Sequence, residues 1–528
     1  MNIKIFLEEI NSNIQRMWEH TALAYWNLAT TGKEEYGKEV EKTEIEMRMY
    51  LSDKNRFEIV KKAQSDESLS EVEKREIKLL YDSMLPNQLP EEKIQETVKK
   101  EVEIESLFAN FRAKIDGKEV SNNEIDNILK NSTDIELRKK AWLAGKEIGK
   151  EMAYRIIELI KLRNENAKLL GFSNYYDMMM DLQELSTKEI HNIFHEFKEE
   201  TDSLFADIKD EIDTTLSKKL NSEKSELMPW HYSDLWFQEA PEVDGFDYDS
   251  LLKDKDLVEL TKNTYSSIGL DITDILKRSD LYERKGKNQH AFTLSVDKAG
   301  DVRVLANIRP NISSQETMLH EYGHAIYDKY INRKLPFTLR GPAHIFTTEA
   351  VAMFFGRMSR DAQWYQKLTG IDDKTYEEIS KKMKRLMRNQ LMITARWVMT
   401  FVFFEKELYQ NPDRKDLNEL WYNTVRELQH LNIPNERKGY PDWSAKIHFG
   451  IAPVYYHNYL LGEMMASQMH HHITKNISEN ILSENVGKFF DEKIFKPGSL
   501  YRWNELLTRV TGETLNPVHL ANQLKEKI

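Results

Sequence analysis

Cysteine is absent from the 528 residues. That excludes a disulfide scaffold, thiolate metal sites and thiol catalysis together. Glycine (20) and proline (13) are scarce, each at about half the usual shares of ~7% and ~5%. Fewer breakers mean longer helices. No stretch approaches the ~18 uninterrupted apolar residues of a membrane-spanning helix. Positive charge is in deficit: 75 Lys and Arg face 87 Asp and Glu, a formal net charge of −12. This balance argues against non-specific binding to nucleic acid or an anionic membrane. The opening MNIKIFLEEINSN has one Lys, a very short apolar stretch and then acids, which is not the pattern of a secretory signal. A cytoplasmic location is the default expectation.

What is present describes a globular, mainly α protein. Apolar residues make up 40% and aromatic residues 10%, ample for a core and too much for disorder. Residues 2–64, 66–130, 134–168 and 187–220 carry apolar positions three and four apart among dense Lys and Glu, and so do 373–410, 415–430, 453–474 and 485–493. These segments read as amphipathic helices. Two regions break the texture. Residues 222–250, with Pro229, Trp230, Trp236, Pro241 and Gly245, read as an ordered aromatic-rich loop. Gln289–Asp297, a Lys-Ala-Gly turn and Val302–Ile308 read as a β-hairpin. Length alone suggests about three to four domains, but no Ser- or Gly-rich linker divides the chain. The expectation is one body over residues 1–528, two helical lobes around a deep central cleft, with the hairpin beside the helix that follows it.

That helix carries the chemistry. After Pro310 the chain reads NISSQETMLHEYGHAIYDKYI. Ser313 and Glu316 suggest a capping box and a helix start near residue 314. His320 and His324, at i and i+4, lie on one face one turn apart, so their imidazoles can share one zinc ion. Glu321 follows the first histidine directly and is placed to accept a proton from a water. A helix with two surface histidines and an incidental Glu is the bland reading, against which stands the apolar run around the motif. A third ligand is needed. Glu349, 25 residues after His324, is the single acid in IFTTEAVAMFFGRM, and an isolated carboxylate there is costly unless paired or metal-bound. His344 is the competitor. Two His and one Glu leave a position for water, the catalytic arrangement, so one Zn2+ per chain is expected.

These residues resemble the gluzincin peptidases, in which a Glu of the next helix completes the site. Two helical families of that group compete: the thimet-oligopeptidase family and the angiotensin-converting-enzyme family of dipeptidyl carboxypeptidases. Three more segments resemble the second. His290-Ala291 stands thirty residues before His320, where that family has a His-Ala pair binding the substrate backbone by strand addition. Trp236-Phe237-Gln238 is similar to its Trp-x-Gln, whose Gln binds the substrate's terminal carboxylate. Lys446-Ile447-His448, followed by Tyr455, Tyr456 and Tyr459, is similar to its Lys-x-His and paired tyrosines. The resemblance implies Gln238, Lys446 and Tyr456 for the carboxylate, and His448 and Tyr459 for the oxyanion. Counting seven from His448 reaches Tyr455, whereas the family's three-residue spacing selects Tyr456 and Tyr459, so the first tyrosine stays open. Asn458 stands where animal members carry an Arg linked to chloride activation. Met353 stands where many carry an Asp four residues after the third ligand, so support for the ligands must come from elsewhere.

The implied activity is hydrolysis of short peptides with release of C-terminal dipeptides. A thimet-like oligoendopeptidase is the alternative, and a helical peptide-binding protein with an inactive metal site is the alternative of another class. Each residue also has an ordinary reading: a strand histidine for His290, a loop cap for Gln238, a solvated Lys446, core aromatics for the tyrosines. His470-His471-His472 reads as a solvated helix end. Oligomeric state is left open.

Overall fold

The computed structural model describes residues 2–241 and 245–528. Helices dominate. Among the described residues the only sheets are two antiparallel pairs: β1 (Ala113–Ile115) with β2 (Lys118–Val120), and β3 (Phe292–Ser295) with β4 (Val302–Leu305). Among the described residues no helix is long and apolar enough to cross a membrane.

The chain forms two compact units, each built from separate stretches. The first comprises Met1–Gln88, Phe246–Lys384 and Leu461–Leu520; the second comprises Leu89–Gly245, Arg385–Leu460 and Ala521–Ile528. The helices expected at 187–220 and 373–410 are present at full length, as Thr187–Leu220 and Asp373–Gln410, whereas other expected segments are divided. Residues 2–64 hold three, Ile3–Thr31, Glu34–Leu51 and Lys54–Ala63, because Gly32 at φ 66° ends the first in a left-handed cap and Asp53 caps the third. Residues 66–130 are not uniformly helical as expected: β1 and β2 interrupt them. The signal was the Asp116-Gly117 pair, which turns the hairpin with φ of 50° and 80°, the geometry that Asp-Gly favours. Residues 373–410 form one helix, Asp373–Gln410, and residues 453–474 correspond to His457–Asn476. Residues 485–493 instead combine the short helix Glu484–Phe489 with a π-helical turn.

In the first unit the hairpin lies where expected, with shorter strands. Val296 N–H donates to Asp301 O at 2.8 Å, and Asp297 Oδ1 accepts from Ala299 N and Asp301 N at 2.7 and 2.9 Å, which closes the turn. Phe292 of β3 packs on Tyr25 and Trp26, and Trp18 Nε1 donates to Ser295 O at 3.0 Å. The N-terminal helix is thus the platform for the hairpin.

The motif helix spans Ile312–Tyr330, two residues earlier than expected. Its cap is Asn311, whose side chain accepts from Ser314 N at 2.8 Å. Ser313 does not cap it, and Glu316 pairs with Arg360 at 2.7 Å instead. The amide of Asn311, two residues upstream of Ser313, made the better cap, since either side chain can satisfy an early N–H. The return helix spans Ile345–Gly356. The two helices touch at Gly323: a Cβ there would lie 2.7 Å from Ala352 Cα. Gly323→Ala is expected to lower the thermal midpoint and weaken metal binding together. Overpacking against backbone costs about 1–3 kcal/mol and outweighs the ~1 kcal/mol gained in helix propensity. Calorimetry with metal analysis checks it; an unchanged melt and metal content would contradict this packing.

Candidate active site

The first unit holds the candidate metal ligands. His320 Nε2 lies 3.7 Å and His324 Nε2 3.9 Å from Glu349 Oε2, and the three ligand atoms all fall within 4.8 Å of one another. Ligand atoms on a tetrahedral ion at 2.0–2.1 Å stand about 3.3 Å apart, so a small contraction about a cation completes the geometry. Protonation fits as well. Burial pushes His320 down to about 4 and His324 well below its ordinary value, which leaves neutral imidazoles with lone pairs to donate. Burial, then the charges of Glu321 and Glu463, push Glu349 up to about 7. Two neutral nitrogens and one carboxylate, costly to ionise without a positive partner, are a donor set for a divalent transition ion.

Each ligand is oriented by its neighbours. His324 Nδ1 meets Thr348 Oγ1 at 2.6 Å, so its Nε2 is the nitrogen turned to Glu349. Thr348 supplies the support that Met353 cannot, and no sequence signal distinguished it. Gly462 packs on the return helix, where a Cβ would lie 3.2 Å from Glu349 Cβ. His344 caps that helix, its Nδ1 accepting from Phe346 N at 3.1 Å, and stands outside the ligand trio. Glu321 is buried beside the ligands. Thr293 Oγ1 of β3 lies 2.7 Å from its carbonyl and 3.0 Å from its Oε2, and burial pushes its carboxyl up to about 7.

These groups open on a cavity of about 490 Å3. Ala291 and the whole of β3 line it. Among the described residues only β4 pairs with β3, so the other edge of β3 offers backbone groups. His290 is exposed in the bend before Ala291 and is not part of the lining.

The second unit brings together most of the remaining predicted residues. The loop over 222–250 is ordered as expected where it is described; residues 242–244 of that expectation lie outside the described residues. Arg138 ties it down by donating to the carbonyls of Trp230, His231 and Tyr232, each at 2.9 Å. The buried Asp234 carboxylate accepts from the backbone N–H groups of Trp236, Gln238 and Glu239 at 2.7–3.1 Å. Gln238 Oε1 then accepts from Lys446 Nζ at 2.9 Å. That ammonium sits among aromatic faces, 5.7 Å from the Trp236 and Tyr456 centroids and 5.1 Å from Trp397. Burial pushes Lys446 down to about 8 against the pull of Asp234 and Asp126.

Tyr456 packs edge-on against His448 at 5.2 Å and against Tyr459 at 5.3 Å, so Tyr456 accompanies Lys446 and His448. It is also a core aromatic, stacked on Phe401 at 4.0 Å. Burial lowers His448 to about 4, and its Nδ1 has no hydrogen-bond partner among the described residues. Asn458 is buried and donates to Gln183 and to Tyr455 O. Val454, just before the tyrosines, holds φ 53°, rare for a β-branched residue. Glu405 accepts from its N–H and Gln183 donates to its carbonyl, both at 3.0 Å. Lys146 went unnoticed in the sequence. It is buried, its ammonium 2.9 Å from the Trp236 centroid, and burial pushes its pKa well down.

A sequence model of the angiotensin-converting enzyme family matches residues 1–520. The chain belongs to that family. It is a metallopeptidase, and its substrates are peptides. Among curated relatives it is 24% identical over 426 residues to a thermostable carboxypeptidase 1 of Pyrococcus furiosus, covering 74% of this chain and 77% of that one. It is 23% identical over 474 residues to a mitochondrial intermediate peptidase of Arabidopsis thaliana, covering 78% and 64%. The chain therefore spans less than two thirds of the plant enzyme.

Thr348→Val removes the hydroxyl facing His324 Nδ1. Divalent-metal affinity is expected to fall about 10–100-fold with little change in fold, measured by titrating the chelated protein with zinc under calorimetry. Unchanged affinity would show that Thr348 does not orient the ligand.

Proposed function

We propose that the chain is a zinc peptidase that releases dipeptides from the C-termini of short peptides. The observation that carries the reading is the His320, His324 and Glu349 trio with the Glu321 carboxylate buried beside it. Those three residues would hold zinc, which supplies Lewis acidity that acidifies water and polarises a carbonyl.

The protein's own groups do the rest. Glu321, raised toward neutrality by burial, takes the attacking water's proton and passes it to the leaving amine. Thr293 holds Glu321 in place. His448 and Tyr459 donate hydrogen bonds to the developing oxyanion. The edge of β3 that β4 leaves unpaired, with His290 and Ala291 just before it, pairs with the peptide backbone. Lys446, with Gln238 and Tyr456 about it, takes the terminal carboxylate, since a buried ammonium with one neutral partner has charge to spare for an anion.

A thimet-like oligoendopeptidase that cuts within a chain is the second reading, with which similarity to a mitochondrial intermediate peptidase is compatible. Mass spectrometry of products separates the two. Free-acid peptides should lose two residues at a time, and C-terminal amides should be cut much more slowly. Equal rates on acids and amides would remove the carboxylate pocket and leave the endopeptidase.

Glu321→Gln should keep its metal and lose about 10²–10⁴ in turnover. A variant that holds zinc and cuts at the wild-type rate would end the proposed role of Glu321. The acid-over-amide preference should decline as pH rises through about 8. The reason is that Lys446 is a cation below that value and a neutral amine above it, and kcat/KM follows the free enzyme. A preference that stays flat from pH 6 to 9.5 would exclude Lys446 as the anchor.

A further inference from the structure

The cavity around the ligands extends beyond them to Trp18, Lys298, Asp328 and Arg340. Asp328 stands one turn after His324, as His324 stands one turn after His320, so one helix face carries all three side chains in a row. Only the two histidines belong to the ligand trio. Among the described residues Asp328 has no hydrogen bond and no ion pair. The cations that share its cavity are engaged elsewhere. The Lys298 ammonium lies 4.4 Å from the Trp18 centroid and 5.1 Å from the Phe337 centroid, a stable setting for a cation. Arg340 Nε donates to Leu335 O at 2.7 Å. Lys298 still acts on Asp328 as a distant charge, yet burial dominates and pushes the carboxyl up to about 6.

A carboxylate that lines a cavity with no protein donor beside it is attractive to an incoming cationic donor. The surrounding rings leave Asp328 as the unsatisfied group.

We propose that Asp328 is a specificity-determining residue, which receives a positively charged ammonium or guanidinium group of the peptide segment lying in this cavity. The proposal rests on the peptidase reading, because it assumes that the cavity admits substrate. Two sources can supply the charge: a Lys or Arg side chain, or the free α-ammonium of a short peptide's first residue. The carboxylate selects the same chemistry in both.

The experiment compares kcat/KM for wild type, Asp328→Asn and Asp328→Glu on a peptide set. Arg, citrulline and norleucine are walked through the positions around the cut, each with a free or acetylated N-terminus. Wild type should prefer a cation at one position about tenfold or more, as expected for one charge-assisted hydrogen bond. Asp328→Asn, which keeps the shape and removes the charge, should bring the cationic-to-neutral ratio near one. Asp328→Glu should retain part of the preference. Loss of an Arg-over-citrulline ratio identifies a side chain; loss of a free-over-acetylated ratio identifies the α-ammonium. Metal content, measured on all three proteins, shows whether the ligand trio survives. A wild type with no preference for a cation at any position, or an Asn variant that keeps it, overturns the proposal. Failure of the peptidase reading looks different: wild type would then cut none of the peptides, neutral ones included.

Discussion

The structure depends on two helices approaching closely enough, across a missing side chain at Gly323, to bring one carboxylate against two imidazoles. Without that approach Glu349 would be a buried acid with no partner, and His320 and His324 two desolvated rings. With it, all three groups point at one place. The cost of gathering them is visible in the direction of each titration: the histidines are driven neutral and the carboxyl toward its protonated form. Every one of these penalties reverses when a dication sits among them. These groups all belong to the first unit, where the hairpin packs on the N-terminal helix and meets Glu321 through Thr293.

A parallel arrangement governs the second unit. There a loop rather than a helix pair sets the geometry, and one buried carboxylate, Asp234, organises it by accepting three backbone N–H groups. The loop's rigidity is what lets Gln238 meet Lys446 at hydrogen-bond distance. Aromatic faces of Trp236, Trp397 and Tyr456 then surround the ammonium. The out-of-the-way backbone at Val454, pinned by Glu405 and Gln183, costs of order 1–3 kcal/mol and lies directly before the tyrosines. Both units thus spend stability to hold buried polar groups in fixed places.

Much of this was legible in the residues themselves. The His-Glu-x-x-His face follows from helical periodicity, and Glu349 stood out as the lone acid of an apolar run. The hairpin before the motif announced itself by alternation. Where the reading failed, local signals competed. Asn311 and Ser313 are both good caps, and only packing chose between them. The Asp-Gly turn inside residues 66–130 was overridden by the dense Lys and Glu around it. Thr348, Thr293, Lys146 and Asp328 were invisible for a different reason: a threonine hydroxyl or a lone charge acquires meaning only from what faces it.

By itself, then, the sequence determined the chemistry on offer: which side chains share a helix face, which acid is too costly to leave alone, and that no thiol takes part, since cysteine is absent. These are matters of spacing and composition, and neighbours along the chain decide them. Tertiary structure alone decided which of three tyrosines accompanies Lys446, which residue steadies His324, and which carboxylate is left unsatisfied in the cavity. Those outcomes turn on distances of a few ångströms between residues tens to hundreds of positions apart. Only packing sets such distances.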